Sequence, residues 1–243
     1  MQHQVLHTVT EKFTQAKKDL LALLFPNTCA VCKITLPDGM QNLCFLCTSD
    51  LHYTYFESYK ESSPLDELFW GRVFLKSTFS LLYFTKKNST HELIHSIKYQ
   101  NNQQLAIAMG EKMAEKLAIK WKEDLPDCFI PVPLHPKKKF KRGYNQSELL
   151  AKGLSNKLGV PIETKLLIRS KNTKTQTKKG KMERWDNVDT IFDVIHPEEW
   201  KNKHLCIVDD VITTGATLES CVRILQQKME GCEVSVISLA FAK

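Results

Sequence analysis

Three short apolar runs constrain this chain more than anything else in it. "DCFIP", "KHLCIVDD" and "EVSVISLAFA" are apolar almost without interruption. A strand with one wet face alternates apolar and polar residues; an unbroken run is covered on both faces, as in a parallel sheet. Between and around these runs the apolar spacing turns helical, in "QQLAIAMGEKMAEKLAIKW", in "GYNQSELLAKGLSNKLG" closing on Gly159, and in "GATLESCVRILQQKM". Alternation of such strands and helices predicts an α/β domain, a parallel sheet flanked by helices. "FLKSTFSLLYF" and "PIETKLLIR" are read as two further strands. "NSTHELIHSIKY" is read as a helix opened by Ser89 and Glu92 at capping-box spacing.

Ahead of this domain the pattern changes. Val5, Val9, Phe13, Ala16, Leu20 and Leu24 fall near helical spacing and predict an amphipathic helix ending before Pro26. "CAVCKITLPDGMQNLCFLC" then carries Cys29, Cys32, Cys44 and Cys47, two C-x-x-C knuckles on either side of the turn-forming "LPDG". Four thiolates so spaced suit one tetrahedral ion. Their softness favours structural Zn²⁺, with a redox dithiol pair or an iron–sulfur cluster as the alternatives. Cys128, Cys206, Cys221 and Cys232 stand singly among apolar neighbours and are read as inert core thiols. Tyr53, Tyr55, Phe56 and Tyr59 follow the knuckles as candidates for a domain interface or for base stacking. A junction is expected near Ser62 to Pro64. Residues 1–62 then form the helix and a small four-cysteine zinc-ribbon module, and residues 63–243 the α/β domain. No apolar run approaches the roughly 20 residues of a membrane span, so no membrane insertion and a cytoplasmic location are expected.

The formal charge is +7, and the positive residues gather in "HPKKKFKRGYNQ" and "KLLIRSKNTKTQTKKGKMER". Such segments suit phosphates or nucleic acid, and also suit solvated loops. The stretch "CIVDDVITTGATLESC" is more specific. It places Asp209 and Asp210 at the carboxyl end of a strand, where open α/β sheets bind ligands. "TTGAT" then enters a helix, whose free N–H groups and dipole form an anion cradle. Gly215 admits an anion that a side chain would block, and Thr213, Thr214 and Thr217 add hydroxyls. Carboxylates for a vicinal diol beside a phosphate cradle describe a site for ribose 5-phosphate.

This stretch resembles the phosphoribosyl pyrophosphate (PRPP) signature of type I phosphoribosyltransferases. The resemblance implies Asp209 and Asp210 as the catalytic acidic pair on the ribose hydroxyls, with Ile212, Thr213, Thr214, Gly215, Ala216 and Thr217 around the 5-phosphate. "LIHSIKYQNNQQLA", "IPVPLHPKKKFKRGYNQSELLA" and "LLIRSKNTKTQTKKGKMERWDNV", in this order behind a cysteine module, are similar to the ComF family. These phosphoribosyltransferase-like proteins are linked in some bacteria to competence, the uptake of transforming DNA. The resemblance implies a role for Lys98, although the family often has a glycine after its "KY" pair where this chain has "QNN". It also implies PRPP-binding roles for Arg142, Gly143, Asn145 and Gln146 in an "RGFNQ"-like element, with Tyr144 replacing the Phe. Gln176, Thr177, Arg184 and Asn187 match a "QT…R..N" element in a mobile loop. Mg²⁺ would accompany PRPP and neutralise the departing pyrophosphate. Three functions follow from different classes: phosphoribosyl transfer to an unidentified acceptor, a non-catalytic PRPP or nucleotide sensor, and an adaptor contacting single-stranded DNA or a competence helicase-like ATPase.

Overall fold

The computed structural model describes residues 26–85, 88–122, 124–169 and 191–242. The N-terminal amphipathic helix expected over residues 5–24 lies outside them. The described residues form two compact units, one ending at Asp50 and the other beginning at Leu51.

The first unit is small and built around its cysteines. Thr28 and Thr35 pair in an antiparallel bridge, and the Cys29 N–H donates to the Ile34 carbonyl at 2.8 Å. Lys33 takes the left-handed backbone (φ 64°) that closes this knuckle. "PDG" makes a turn in which the Met40 N–H donates to Pro37 O at 3.1 Å, with Gly39 at φ 84°. Helix α1 (Phe45–Ser49) starts on Cys44, whose sulfur accepts the Cys47 N–H at 3.4 Å. Among its described residues Cys29, Ala30, Leu36, Leu43 and Cys47 are buried.

The second unit contains strands β1 (Ser77–Phe84), β2 (Cys128–Pro131), β3 (Leu167–Arg169), β4 (Phe192–Val194), β5 (His204–Ile212) and β6 (Glu233–Ala242). β1, β6, β5 and β2 lie side by side in that order, each pair parallel. Leu205, Cys206, Ile207 and Val208 at the centre of β5 have no exposed surface, which is why the run carries no alternation. The described helices are α2 (Pro64–Phe69), α3 (Ser89–Tyr99), α4 (Gln103–Trp121), α5 (Pro136–Arg142), α6 (Gln146–Leu158) and α7 (Ala216–Lys228). α4 and α6 cross at Gly110 and Gly153 with their backbones nearly touching. A methyl group on Gly153 would sit 2.1 Å from the Ile107 carbonyl oxygen, and one on Gly110 2.2 Å from that of Leu150.

Several expectations need correction. β5 does not end on its carboxylates; it runs on to Ile212, because β6 continues alongside it to pair Ile212 with Phe241. "PIETKLLIR" is not a strand of the parallel sheet. Ile162 bridges Phe129, and only Leu167–Arg169 is extended, pairing antiparallel with β4 in a separate ribbon. Ser89 is not a cap; Asn88 is, its side chain accepting the His91 N–H at 3.0 Å, and Ser89 enters the first turn. The basic "HPKKKFKR" is not a loop but α5, capped by His135.

Residues 51–62, assigned by the sequence boundary to the N-terminal part, lie in the second unit. They cover the outer edge of β1, the Thr54 N–H donating to Leu81 O at 3.0 Å and the Tyr83 N–H to His52 O at 2.7 Å. An otherwise open sheet edge is thereby closed. Phe56 is fully buried against Tyr83 and Phe241, so it is a core residue with no free face; Tyr55 and Tyr59 remain exposed. Of the singly placed cysteines, Cys128, Cys206 and Cys221 are buried and burial pushes each thiol up; Cys232 is half-buried. Among the described residues no helix is long and apolar enough to cross a membrane.

Candidate functional site

The carboxyl end of β5 and the start of α7 enclose an open hollow of about 240 Å³, lined by Asp209 and residues 211–218. Ile212, Thr213, Thr214, Gly215, Ala216 and Thr217 are therefore brought together with Asp209. Thr213, Thr214, Ala216 and Thr217 are exposed, while Ile212 and Gly215 are buried beneath them. The first N–H groups of a helix have no partner within it and suit an anion.

Because Asp209 and Asp210 are neighbours on a strand, their side chains leave it on opposite faces. Asp210 faces α3, its Oδ1 3.0 Å from Lys98 Nζ. Asp209 faces α6, where its Oδ1 accepts the Ser147 hydroxyl at 3.2 Å, and it also accepts the Asp210 N–H at 2.8 Å. Burial, followed by the charge on Asp210, pushes the Asp209 carboxyl up to about 7, against smaller opposing effects from the Asp210 N–H, Lys98 and Ser147. The pair is thus unequal: one carboxylate is neutralised by a lysine, and the other holds its proton into the neutral range.

The "RGYNQ" element is mostly occupied in building this corner. Gly143 ends α5 at φ 79°. The Tyr144 hydroxyl donates to the Ile97 carbonyl. Asn145 caps α6, its Oδ1 accepting the Ser147 N–H at 3.1 Å and its Nδ2 donating to Val132 O at 3.0 Å. Gln146 is buried; its Oε1 accepts from Arg142 Nη1 at 2.7 Å, and its Nε2 has no partner among the described residues. The Arg142 guanidinium lies 5.2 Å from the ring of Tyr99, the residue after Lys98. Ser147 was missed by the sequence reading. Its position next to "NQ" at a helix start was the available signal, but only the fold brings it to Asp209. Gln176, Thr177, Arg184 and Asn187 lie outside the described residues.

Gly215 carries a further constraint from behind the loop. Its φ is 74°, and a Cβ there would lie 3.0 Å from Phe69 Cε1, 3.1 Å from Phe69 Cζ and 3.2 Å from Leu68 Cδ2. A side chain would therefore press on Phe69 and Leu68 of α2, which must give by a few tenths of an ångström, on top of adopting a backbone that L residues disfavour.

In the first unit the sulfurs of Cys29, Cys32, Cys44 and Cys47 all lie within 4.8 Å of one another, a cluster able to hold a metal ion. Cys32 Sγ and Cys44 Sγ are 3.7 Å apart. A tetrahedron with bonds of about 2.3 Å needs edges of about 3.8 Å. Burial raises the Cys29 thiol, but backbone N–H groups of Cys44, Cys32 and Val31 outweigh it and bring it down to about 6, while burial and the neighbouring sulfurs push the Cys47 thiol up.

Known proteins resemble this chain over part of its length. A family model for the phosphoribosyl transferase domain matches residues 145–243. Competence protein F of Haemophilus influenzae is 37% identical over 119 residues, 49% of this chain and 52% of that protein. Competence protein ComFC of Bacillus subtilis is 30% identical over 156 residues, 64% of this chain and 61% of that protein. Among solved structures, glutamine PRPP amidotransferase from B. subtilis, complexed with ADP and GMP, aligns with a TM-score of 0.37 at 17% identity, covering 54% of this chain and 25% of that one.

The chain thus spans between about half and three fifths of the length of these two competence proteins. The phosphoribosyl transferase match begins at the cap of α6 and includes Ser147, both aspartates and the 213–217 loop. Lys98, Arg142 and the cysteine cluster fall before it.

Proposed function

We propose that the second unit binds PRPP, with the 5-phosphate on residues 213–217 and Asp209 accepting a ribose hydroxyl. The observation that carries this is the hollow bordered by both an acidic side chain and a helix-entry loop. Asp210 joins in only if its ion pair with Lys98, 3.0 Å long, opens to the ligand. Mg²⁺ is commonly held by one or two carboxylates together with substrate phosphates, so the aspartate pair and the ligand's own oxygens suit it. Transfer would build positive charge at the ribose C1, which a nearby carboxylate stabilises. A non-catalytic sensor would share the binding and lack the turnover. Calorimetry with PRPP and Mg²⁺ tests the binding, and pyrophosphate release across a panel of bases and oligonucleotides separates enzyme from sensor. Absence of any PRPP binding would sink both.

The cysteine cluster is assigned to Zn²⁺. Elemental analysis of protein purified without added metal is expected to find about one zinc per chain. Cys44→Ser should lose the metal and stability together, while Cys128→Ala keeps the metal. Iron with visible absorbance, or a stably folded metal-free protein, would contradict the assignment.

A second reading concerns single-stranded DNA, and the names of the competence proteins support it. The observation favouring it is α5, where Phe140 is 94% exposed among Lys137, Lys138, Lys139, Lys141 and Arg142. An aromatic face set in positive charge suits stacked bases on a phosphate backbone. Affinity for an oligonucleotide should fall steeply with salt, and reversing charge at Lys138 and Lys139 should weaken it whatever the sequence. Salt-independent binding, or none at low salt, would leave only protein partners, such as a helicase-like ATPase, for this face.

A further inference from the structure

Arg72 lies between α2 and β1, far in sequence from the 213–217 loop, yet it is bonded to the loop at Thr214 and to Glu219 in the helix that follows. Its Nη1 donates to the Thr214 carbonyl at 2.8 Å and to the Leu68 carbonyl at 3.0 Å. Its Nε donates to Glu219 Oε2 at 2.9 Å, and Nη2 meets the same oxygen. The Glu219 N–H in turn donates to Gly215 O at 2.8 Å within the first turn of α7. The guanidinium also rests 5.6 Å from the ring of Phe69, the residue that crowds Gly215. Arg72 does not line the hollow.

We propose that Arg72 is a positioning residue that sets the shape of the phosphate loop from behind, and so sets affinity for the 5-phosphate. The inference rests on the PRPP reading of the hollow. Its physical basis is the trans peptide unit, in which C=O and N–H point in opposite directions. Fixing the Thr214 carbonyl on the α2 side therefore aims the Gly215 N–H the other way, to the side where an anion would sit. Holding Glu219 fixes the start of α7 relative to the same peptide. Without this grip the peptide is free to rotate, and each rotation takes a donor away from the phosphate. Arginine suits the task because its planar fork reaches two carbonyls and a carboxylate at once, which a lysine ammonium does not. Glu219 is well matched to this partner: hydrogen bonds from Arg223, then from Arg72, hold its carboxyl below the usual range.

The test uses the full zinc-loaded chain and two probes, ribose 5-phosphate and inorganic pyrophosphate with Mg²⁺. Arg72→Met should weaken ribose 5-phosphate by about tenfold or more, the loss expected for a charged hydrogen bond. Pyrophosphate affinity should change less, since the proposal concerns the fit of the loop to the 5-phosphate of an anchored ribose and not anion attraction in general. Arg72→Lys should fall between the two, and serves alone if Arg72→Met does not fold. Amide exchange at Gly215 and Ala216 should quicken in both variants. Equal affinity for ribose 5-phosphate in variant and wild type, or a parallel loss for both probes, would overturn the proposal. If the wild type itself ignores ribose 5-phosphate, the PRPP reading fails. The exchange arm then decides the brace alone, with unchanged exchange counting against it.

Discussion

Gly153→Ala is expected to lower the stability of the protein by about 3 kcal/mol or more, the upper range for overpacking at a site with no slack. Helix propensity alone predicts the opposite sign, since alanine in a helix interior is better than glycine by about 1 kcal/mol. The crossing of α4 and α6 decides between them. A methyl group at Gly153 would lie 2.1 Å from the Ile107 carbonyl oxygen and 2.8 Å from the Glu111 nitrogen, and both are backbone atoms that cannot rotate aside. The helices must separate, opening the layer that contains Leu150, Leu154, Met109 and Met113. Gly110→Ala should cost a similar amount, and the double variant less than the sum, because one separation relieves both contacts. Urea denaturation with an unchanged m-value measures this directly. A Gly153→Ala protein as stable as wild type would mean that the two backbones do not meet at this point.

Asp209→Asn should weaken ligand binding and stabilise the protein at the same time. Its carboxyl is pushed up to about 7 by burial and by Asp210, well above the ordinary value of 3.8. Between those two values the folded chain keeps a proton that the unfolded chain has released. Stability therefore falls as pH rises across that window, and the whole penalty remains above it. Asparagine keeps the oxygen that accepts from Ser147 and from the Asp210 N–H but carries no charge. The two proteins should be similar near pH 4, and the variant more stable by on the order of 2–4 kcal/mol at pH 8. At pH 8, where the Asp209 carboxyl is ionised, binding of PRPP should fall by about 1.5–3 kcal/mol, the worth of a charge-assisted hydrogen bond. Denaturation curves from pH 4 to pH 8 check the first effect and calorimetry the second. Parallel pH profiles would show that Asp209 titrates as an ordinary carboxyl. A gain in stability with no loss of binding would remove it from the site.

How much of this was legible beforehand depends on how local the physics is. Leu205 to Val208 announce a strand covered on both faces, because an unbroken apolar run has few other places to go. The knuckles at Cys29 and Cys47, the cap at Gly159 and the helix starting after Gly215 are also local, set by residues within a few positions of one another. The loop itself was legible for the same reason: "TTGAT" between a buried strand and a helix marks a helix entry in its own residues.

Errors arose where two local signals competed or where a partner lay far along the chain. Asn88 and Ser89 are both good caps, and the one whose side chain reaches the His91 N–H won. Leu167–Arg169 has strand composition, but its partner is β4 and not the parallel sheet, a choice made by pairing and not by propensity. Residue order alone determined the α/β architecture, the cysteine cluster and the helix-entry loop that follows the acidic pair. Only the tertiary structure decided that Lys98 neutralises Asp210, that Ser147 holds Asp209, that Phe69 and Arg72 stand behind Gly215 and Thr214, and that two glycines let α4 and α6 touch. Each of those depends on groups far apart in the chain meeting within about 3 Å, and no short stretch of sequence encodes a distance of that kind.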